Sequence, residues 1–227
     1  MSLRVEGLSF TYPGFAPTLR ELDLDVAAGT SAFLLGPSGI GKSTLLRCLA
    51  GLEAPQAGRV LVAGRDVSRE PPHRRRIGLL FQEPALFPHL NAWQNVAFPL
   101  RHRAAPISRA DEPAEARRLL DLVQIPAARH DAAVDELSGG QRARVALARA
   151  LAAQPLALLL DEPFASLDRD LRDTLGPLVK RLLADAGIPA LWVTHDRDEA
   201  FRLGDTVWEL RDGRLADASR TTPAPPT

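Results

Sequence analysis

Lysine is almost missing from this chain: of 28 basic residues only Lys42 and Lys180 are lysines. A chain that otherwise writes arginine and still puts a lysine into a glycine-rich segment calls for a compact point charge there. Chance placement of one lysine in two is the bland alternative. Cysteine is reduced to Cys48. One thiol forms no intrachain disulfide, which excludes a disulfide-stapled scaffold and fits a reducing compartment. Cys48 falls on an expected helix and reads as core packing. No apolar run approaches the roughly 18 residues of a membrane span. The opening MSLRVEGLSF lacks the apolar stretch of a secretory leader, so none is expected, and a membrane role would come through a partner. Net charge is absent too, with 28 basic against 28 acidic residues. That argues against a broad nucleic-acid footprint, though not against a local basic patch.

What is present is a large α/β pattern. The 227 residues, 45% of them hydrophobic, are enough for one large domain or one domain with an inserted lobe. Residues 3–10, and Leu22, Leu24 and Val26, alternate as half-buried antiparallel strands do. Ser31–Leu35 is an apolar run closed by Gly36, the pattern of a strand covered on both faces. A helix is expected from about Lys42 to Ala50, a strand at Val60–Ala63, a turn at Gly64-Arg65-Asp66 and a buried strand at Ile77–Phe81. From residue 84 to about 136, Pro84, Pro88, Pro99, Pro106, Pro113 and Pro126 punctuate helical segments, with Ala114–Val123 the surest helix. Strands return at Leu156–Leu160, Ala190–Thr194 and Thr206–Leu210, and Asp212-Gly213 signals a hairpin. Thr221–Thr227 is Pro-rich and reads as a disordered tail.

Gly36-Pro37-Ser38-Gly39-Ile40-Gly41-Lys42-Ser43 fits G-x4-G-K-[ST] between an expected strand and an expected helix. Glycines let backbone N–H groups approach phosphate with no Cβ in the way. The helix start adds unpaired donors and a partial positive charge. Lys42 would span the β and γ phosphates of ATP, Ser43 would ligate Mg²⁺, and Thr44 would donate to the α phosphate. A glycine-rich turn without a ligand has no need of the lysine and the hydroxyl.

Asp161 and Glu162 close the apolar strand Leu156–Leu160, and ligands of open parallel sheets bind beyond such ends. Asp161 would hold Mg²⁺ through its water shell, and Glu162 would orient and deprotonate the attacking water. Strand alternation is expected to send the two side chains different ways. Alone, the pair also reads as a solvated acidic turn.

Ser138-Gly139-Gly140-Gln141 reads as a capped helix start with exposed N–H groups. By itself this is an ordinary cap. The whole run Leu137–Leu151, LSGGQRARVALARAL, resembles the signature helix of the ABC-type ATPases. Other elements of that family follow in order. Tyr12 resembles the aromatic that stacks on adenine. Gln82 resembles the Q-loop glutamine that senses Mg²⁺, Asp168 the D-loop aspartate, and His195 the switch histidine at the γ-phosphate. The resemblance covers residues 3 to about 215. It implies an α/β, P-loop NTPase, RecA-like fold: a mainly parallel sheet with an N-terminal antiparallel β subdomain and an inserted α-helical lobe. Residues 1–83 and 137–215 would form the nucleotide-binding core and 84–136 the lobe. It also implies a homodimer closing on two ATP and two Mg²⁺, with Ser138, Gly139, Gly140, Gln141 and Asp168 completing the partner's site. Two departures stand out. Ala165-Ser166 precede Leu167-Asp168 where the family usually has Ser-Ala, and Ile40 replaces a small or polar residue.

The run from Pro72 to Leu90 is similar to bacterial importers of thiamine, polyamines, ferric iron, molybdate and sulfate. The resemblance therefore implies the ATPase subunit of an importer at the cytoplasmic face of the inner membrane. It would work with integral membrane permease subunits and, indirectly, a periplasmic solute-binding protein, with no nucleic acid. The chain ends soon after its last hairpin, as in the short members of the thiamine type. Phe87, Leu90, Trp93 and Phe98 are candidate linings of a permease-docking groove, or else the core of the lobe. Arg74-Arg75-Arg76 reads as a solvated face. The rival classes are a soluble ABC ATPase with a regulatory or nucleic-acid role and a non-hydrolysing nucleotide sensor. The presence of Glu162 and His195 disfavours the sensor.

Overall fold

Periodicity sorts the strands of the computed structural model into two sheets; the structure describes residues 1–16, 18–101 and 107–218. Pro106 and the Thr221–Thr227 tail lie outside the described residues. The alternating segments form β1 (Leu3–Phe10) and β2 (Leu19–Val26), which join β4 (Ala57–Val62) and β5 (Arg65–Asp66) in an antiparallel sheet of order β2-β1-β4-β5. The apolar runs form β3 (Ser31–Leu35), β7 (Ala157–Asp161) and β8 (Ala190–Val193), all buried throughout. With β6 (Ile77–Leu80), β9 (Thr206–Arg211) and β10 (Arg214–Asp217) they make a six-stranded sheet of order β10-β9-β3-β8-β7-β6. Every pairing in it is parallel except β9–β10. The two sheets are joined where Arg20 N donates to Gly213 O at 2.7 Å.

Side-chain alternation splits the core across the parallel sheet. Phe33, Leu158, Leu160 and Trp192 face one hydrophobic cluster, and Leu34, Leu159, Leu191 and Val193 face the other. Phe33 stacks on Trp192 with ring centroids 5.3 Å apart. The second cluster is shared with the antiparallel sheet and with α1 (Lys42–Ala50). The first extends into α3 (Ala92–Ala97), α4 (Glu112–Leu122) and α5 (Gly139–Ala152), through Val96, Leu120 and Val145 among others. Asn91 starts α3 with a capping box, and α2 (Pro72–Arg75) is a single turn. Among the described residues two further α-helices follow, α6 (Arg169–Asp185) and α7 (Arg197–Leu203).

Three expectations need correction. The turn after β4 is Ala63-Gly64, both left-handed (φ 51° and 79°), so pairing resumes at Arg65 and Arg65-Asp66 is strand. A two-residue loop with both φ positive matches the strand twist and needs no third turn residue. The strand at 77 stops at Leu80 and sits at the sheet edge, half-buried, with Phe81 exposed. With a strand neighbour on one edge only, this apolar run is not fully buried. The arginine cluster is not uniformly solvated, because Arg75 is buried at 3% exposure.

The Arg75 guanidinium donates to the carbonyls of Cys48 and Leu49 at 2.9 Å, of Ser68 at 2.8 Å and of Glu70 at 2.8 Å. It satisfies orphan carbonyls at the C-terminus of α1 and places a positive charge at the negative end of that helix. Burial pushes the neighbouring Cys48 thiol up to about 12, so it stays protonated and packs as a small hydrophobe. Arg75→Met keeps the stem but takes the guanidinium donor from the Leu49, Ser68 and Glu70 carbonyls, while Cys48 O keeps its bond from Gly51 N. Urea unfolding is expected to show a loss of about 2–4 kcal/mol.

Candidate functional site

The C-terminal ends of β3, β7 and β8 deliver most of the predicted residues to one place. After β3 the chain turns through Gly36 and the 37–41 loop into α1, whose N-cap is Gly41 with φ 115° and no side-chain cap. A Cβ at Gly41 would stand 2.9 Å from Thr18 Cγ2, so the position is closed to other residues by conformation and by space. The first N–H groups of α1 therefore face the loop rather than a capping side chain. Lys42 folds back over the loop, with Nζ donating to Gly36 O at 2.7 Å and Pro37 O at 2.9 Å. Burial holds its pKa below the usual lysine value, and the carboxylates of Glu162 and Asp161 oppose that shift. Ser38, Gly39 and Ile40 form the loop crown, and Thr44 is half-buried in the first turn of α1.

Asp161 is the last residue of β7 and is buried. Burial raises its pKa, the Ser43 hydroxyl hydrogen-bonded to it acts the other way, and Glu162 raises it further. Ser43, Gln82 and Asp161 line one hollow of about 360 Å³ together with Arg47 and Glu83. A hydroxyl paired with a carboxylate beside a side-chain amide is an all-oxygen set of hard donors, which fits a Mg²⁺ ion. Gln82 lies two residues beyond the end of β6 and is exposed, not on the strand itself.

Glu162 is directed differently from the strand-alternation expectation. Its φ is 46°, in the left-handed region, while its N–H donates to Val193 O at 3.0 Å. The chain leaves the sheet at this residue, so a backbone turn and not the pleat aims the carboxylate. Glu162 Oε2 lies 3.3 Å from His195 Nδ1. His195 follows β8 and is exposed, whereas the Glu162 side chain is only 15% exposed. A carboxylate held in a left-handed turn beside a histidine is a sparsely populated backbone arrangement of the kind that clusters at active sites.

Tyr12 follows β1, with its ring edge-on to Phe10 at 4.7 Å between centroids. Thr18 N donates to Phe10 O at 3.0 Å, which brings this hairpin beside Gly41. The second helix start lies elsewhere. Ser138 Oγ accepts from Gln141 N at 3.2 Å and Gln141 Oε1 accepts from Ser138 N at 3.0 Å, a complete capping box. Gly139 and Gly140 keep their N–H groups at the positive end of a 14-residue helix. Asp168 caps α6 by accepting from Leu171 N at 2.9 Å. Among the described residues, Ser138–Gln141 makes no hydrogen bond or ion pair with the 36–44 loop. The Arg172 guanidinium bridges Leu167 O and Asp196; its spacing of four from Asp168 is visible in the sequence, but its partner 24 residues away is not.

Comparison with known proteins finds the ABC transporter family matching residues 19–165. A sulfate/thiosulfate import ATP-binding protein CysA of Thermosynechococcus vestitus is 44% identical over 99% of this chain and 65% of its own length. An Fe(3+) ions import ATP-binding protein FbpC of Streptomyces coelicolor is 48% identical over 95% of this chain and 61% of its own. A spermidine/putrescine import ATP-binding protein PotA of Acidothermus cellulolyticus is 46% identical over 89% of this chain and 52% of its own. The chain thus spans about half to two thirds of the length of these relatives. Among solved structures, a dimeric post-hydrolysis state of the ATP-binding cassette MJ0796 bound to ADP and Pi superposes with a TM-score of 0.86. It is 30% identical and the match covers 94% of this chain and 96% of that one.

Proposed function

The chain belongs to the ABC transporter family, and from that premise we propose that it binds and hydrolyses ATP to energise uptake of a small solute through a separate membrane permease. The observation that carries this is the assembly of Lys42, Ser43, Asp161, Glu162 and His195 at the ends of three parallel strands. The loop N–H groups and Lys42 bind the phosphates, and Thr44 donates to the α phosphate. Ser43, Gln82 and Asp161 would hold Mg²⁺, which neutralises charge on the β and γ oxygens when bound. Glu162 accepts the proton of the water that attacks the γ-phosphorus. His195, beside it, contacts the γ-phosphate, and Tyr12 stacks on adenine.

Ser138, Gly139, Gly140, Gln141 and Asp168 meet the nucleotide held by a second copy. The dimeric neighbour supports this reading, as does the outward-facing capped helix start. ATP binding closes the pair and hydrolysis releases it. Three relatives of 44–48% identity carry the names of sulfate, ferric ion and polyamine import. Such unlike solutes at like distances support a subunit that never touches the solute, with specificity in the permease and a periplasmic binding protein.

Two adjoining hollows, one between β6 and α5 and one between α3 and the start of α4, are the candidate permease contact. One of about 310 Å³ is lined by Phe81, Phe87, Phe98 and Arg149, and one of about 250 Å³ by Leu90, Trp93 and Phe98. Among the described residues no helix is long and apolar enough to cross a membrane, and in this reading the contact with the permease is what holds the chain at the cytoplasmic face. Phe98 is half-exposed and shared by both hollows, and so tests docking better than the more enclosed Leu90. Phe98→Arg is expected to leave phosphate release by the isolated chain within about twofold. Burying an unpaired charge should lower co-purification with a co-expressed importer permease by about tenfold or more. Undiminished co-purification would remove this surface, and capture of ribosomal or repair partners in place of a permease would overturn the importer reading.

A further inference from the structure

Between the loop that ends at Asp168 and the loop that carries His195 lies a charged hollow of about 490 Å³, with Arg172, Arg202, Asp196 and Glu199 in its walls. Arg172 stands in the first turn of α6, four residues after Asp168, and its guanidinium reaches both loops. Nη2 donates to Leu167 O at 3.3 Å, immediately before Asp168. Nη1 pairs with Asp196 Oδ2 at 3.4 Å, immediately after His195. Asp196 is itself tied into the histidine loop. Its N–H donates to Thr194 Oγ1 at 3.1 Å, and its Oδ1 caps α7 by accepting from Glu199 N at 3.0 Å. The residues on either side of His195 are therefore bonded to each other.

The network is incompletely made. Both Arg172 contacts are long for charge-assisted hydrogen bonds. Arg172 Nε and Glu199 Oε1 are buried without a hydrogen-bond partner among the described residues. A buried donor and a buried acceptor left unmatched in one hollow are unfavourable. Both groups belong to walls of the same hollow, so a shift of the fork that turned Nε to Glu199 and shortened the two loop contacts would be a better-bonded arrangement. Because a planar guanidinium holds its prongs at fixed spacing, neither loop can take up that arrangement without drawing the other along.

We propose that Arg172 is a positioning residue that couples the Asp168 loop to the His195 loop, so that contact with a second copy at Asp168 is passed to the histidine beside Glu162. This rests on the composite-site reading given above and adds to it the side chain that carries the signal between the two halves. The contact sites of Arg172 are a carbonyl and a carboxylate of this same chain, so its role is to place other groups.

The test is ATP hydrolysis by the purified chain, with nucleotide affinity measured by equilibrium binding of a fluorescent ATP analogue. For Arg172→Gln, kcat is expected to fall about 10–100-fold, the scale of a misplaced catalytic group. Nucleotide affinity should stay within about threefold, since an interaction made only in the closed state is lost. Arg172→Lys keeps the Asp196 pair without the second prong and recovers part of the rate. In a His195→Ala background, single-turnover rates should show no further loss on adding Arg172→Gln. An additive loss there, or full activity of Arg172→Gln alone, overturns the proposal. If Arg172→Gln does not fold, Asp196→Asn breaks the same contact from the other loop and keeps a capping side chain for α7, with the same two expectations. A wild-type chain that hydrolyses no ATP, or His195→Ala equal to wild type, sinks the functional reading itself and this inference with it.

Discussion

Glu162→Gln retains ATP binding and lowers ATP hydrolysis by about 10²–10⁴-fold, the usual worth of a general base. The substitution is nearly isosteric and removes only the basic oxygen. The backbone that aims the side chain, a left-handed residue whose N–H is bonded to Val193 O, does not depend on the side-chain charge. In the proposed site, phosphate binding falls to Lys42 and the start of α1, and Lys42 Nζ is held by the Gly36 and Pro37 carbonyls rather than by this side chain. Binding and turnover should therefore separate cleanly. Steady-state phosphate release measures one and equilibrium nucleotide binding the other. The same variant should accumulate as an ATP-bound dimer on size exclusion, because closure survives when the step that reopens the pair is blocked. Unchanged turnover would remove Glu162 from the role of base, and lost nucleotide binding would mean that its carboxylate supports the phosphate loop instead.

Much of the frame that carries this site could be read from residue pattern alone. Ser31–Leu35 and Ala190–Val193 are apolar on both faces because helices or a second sheet cover both sides, and such a run left bare on either face would expose apolar surface to water. The helix at Lys42–Ala50 and the hairpin turn at Asp212-Gly213 are set by local chemistry, a glycine N-cap in one case and two left-handed residues in the other. What pattern could not supply is contact between distant backbone and side chains. Arg75 looks like part of a surface cluster because nothing near it in sequence announces the four carbonyls at 48, 49, 68 and 70. Ile77–Leu80 is as apolar as a central strand, and only the strand order makes it an edge. Glu162 follows a strand without continuing it. Its left-handed turn depends on what β8 offers alongside, and that is a tertiary fact.

Ser138→Arg is expected to leave ATP binding by the monomer within about threefold while ATP-dependent dimerisation disappears and hydrolysis falls by about 10²-fold or more. Ser138 is exposed, and its Oγ serves only as the cap that accepts from Gln141 N. Losing a cap costs about 1 kcal/mol, too little to unfold a helix whose Val145 and Ala148 are fully buried. The new side chain covers the N–H groups of Gly139 and Gly140 and removes the hydroxyl donor, so the surface offered to another molecule's nucleotide is closed. The decisive form of the experiment mixes this variant with Lys42→Ala. Each homodimer then carries the same lesion in both sites. A mixed dimer carries both lesions in one site and leaves the other intact, since a two-fold pair exchanges the same two patches. Equal mixing should restore up to about a quarter of wild-type hydrolysis, one site of two in half of the dimers. If the lesions lay in one self-contained site per chain, no mixture could exceed the sum of its parts. Hydrolysis surviving in Ser138→Arg alone would leave a nucleotide-binding protein whose second helix start is an ordinary cap.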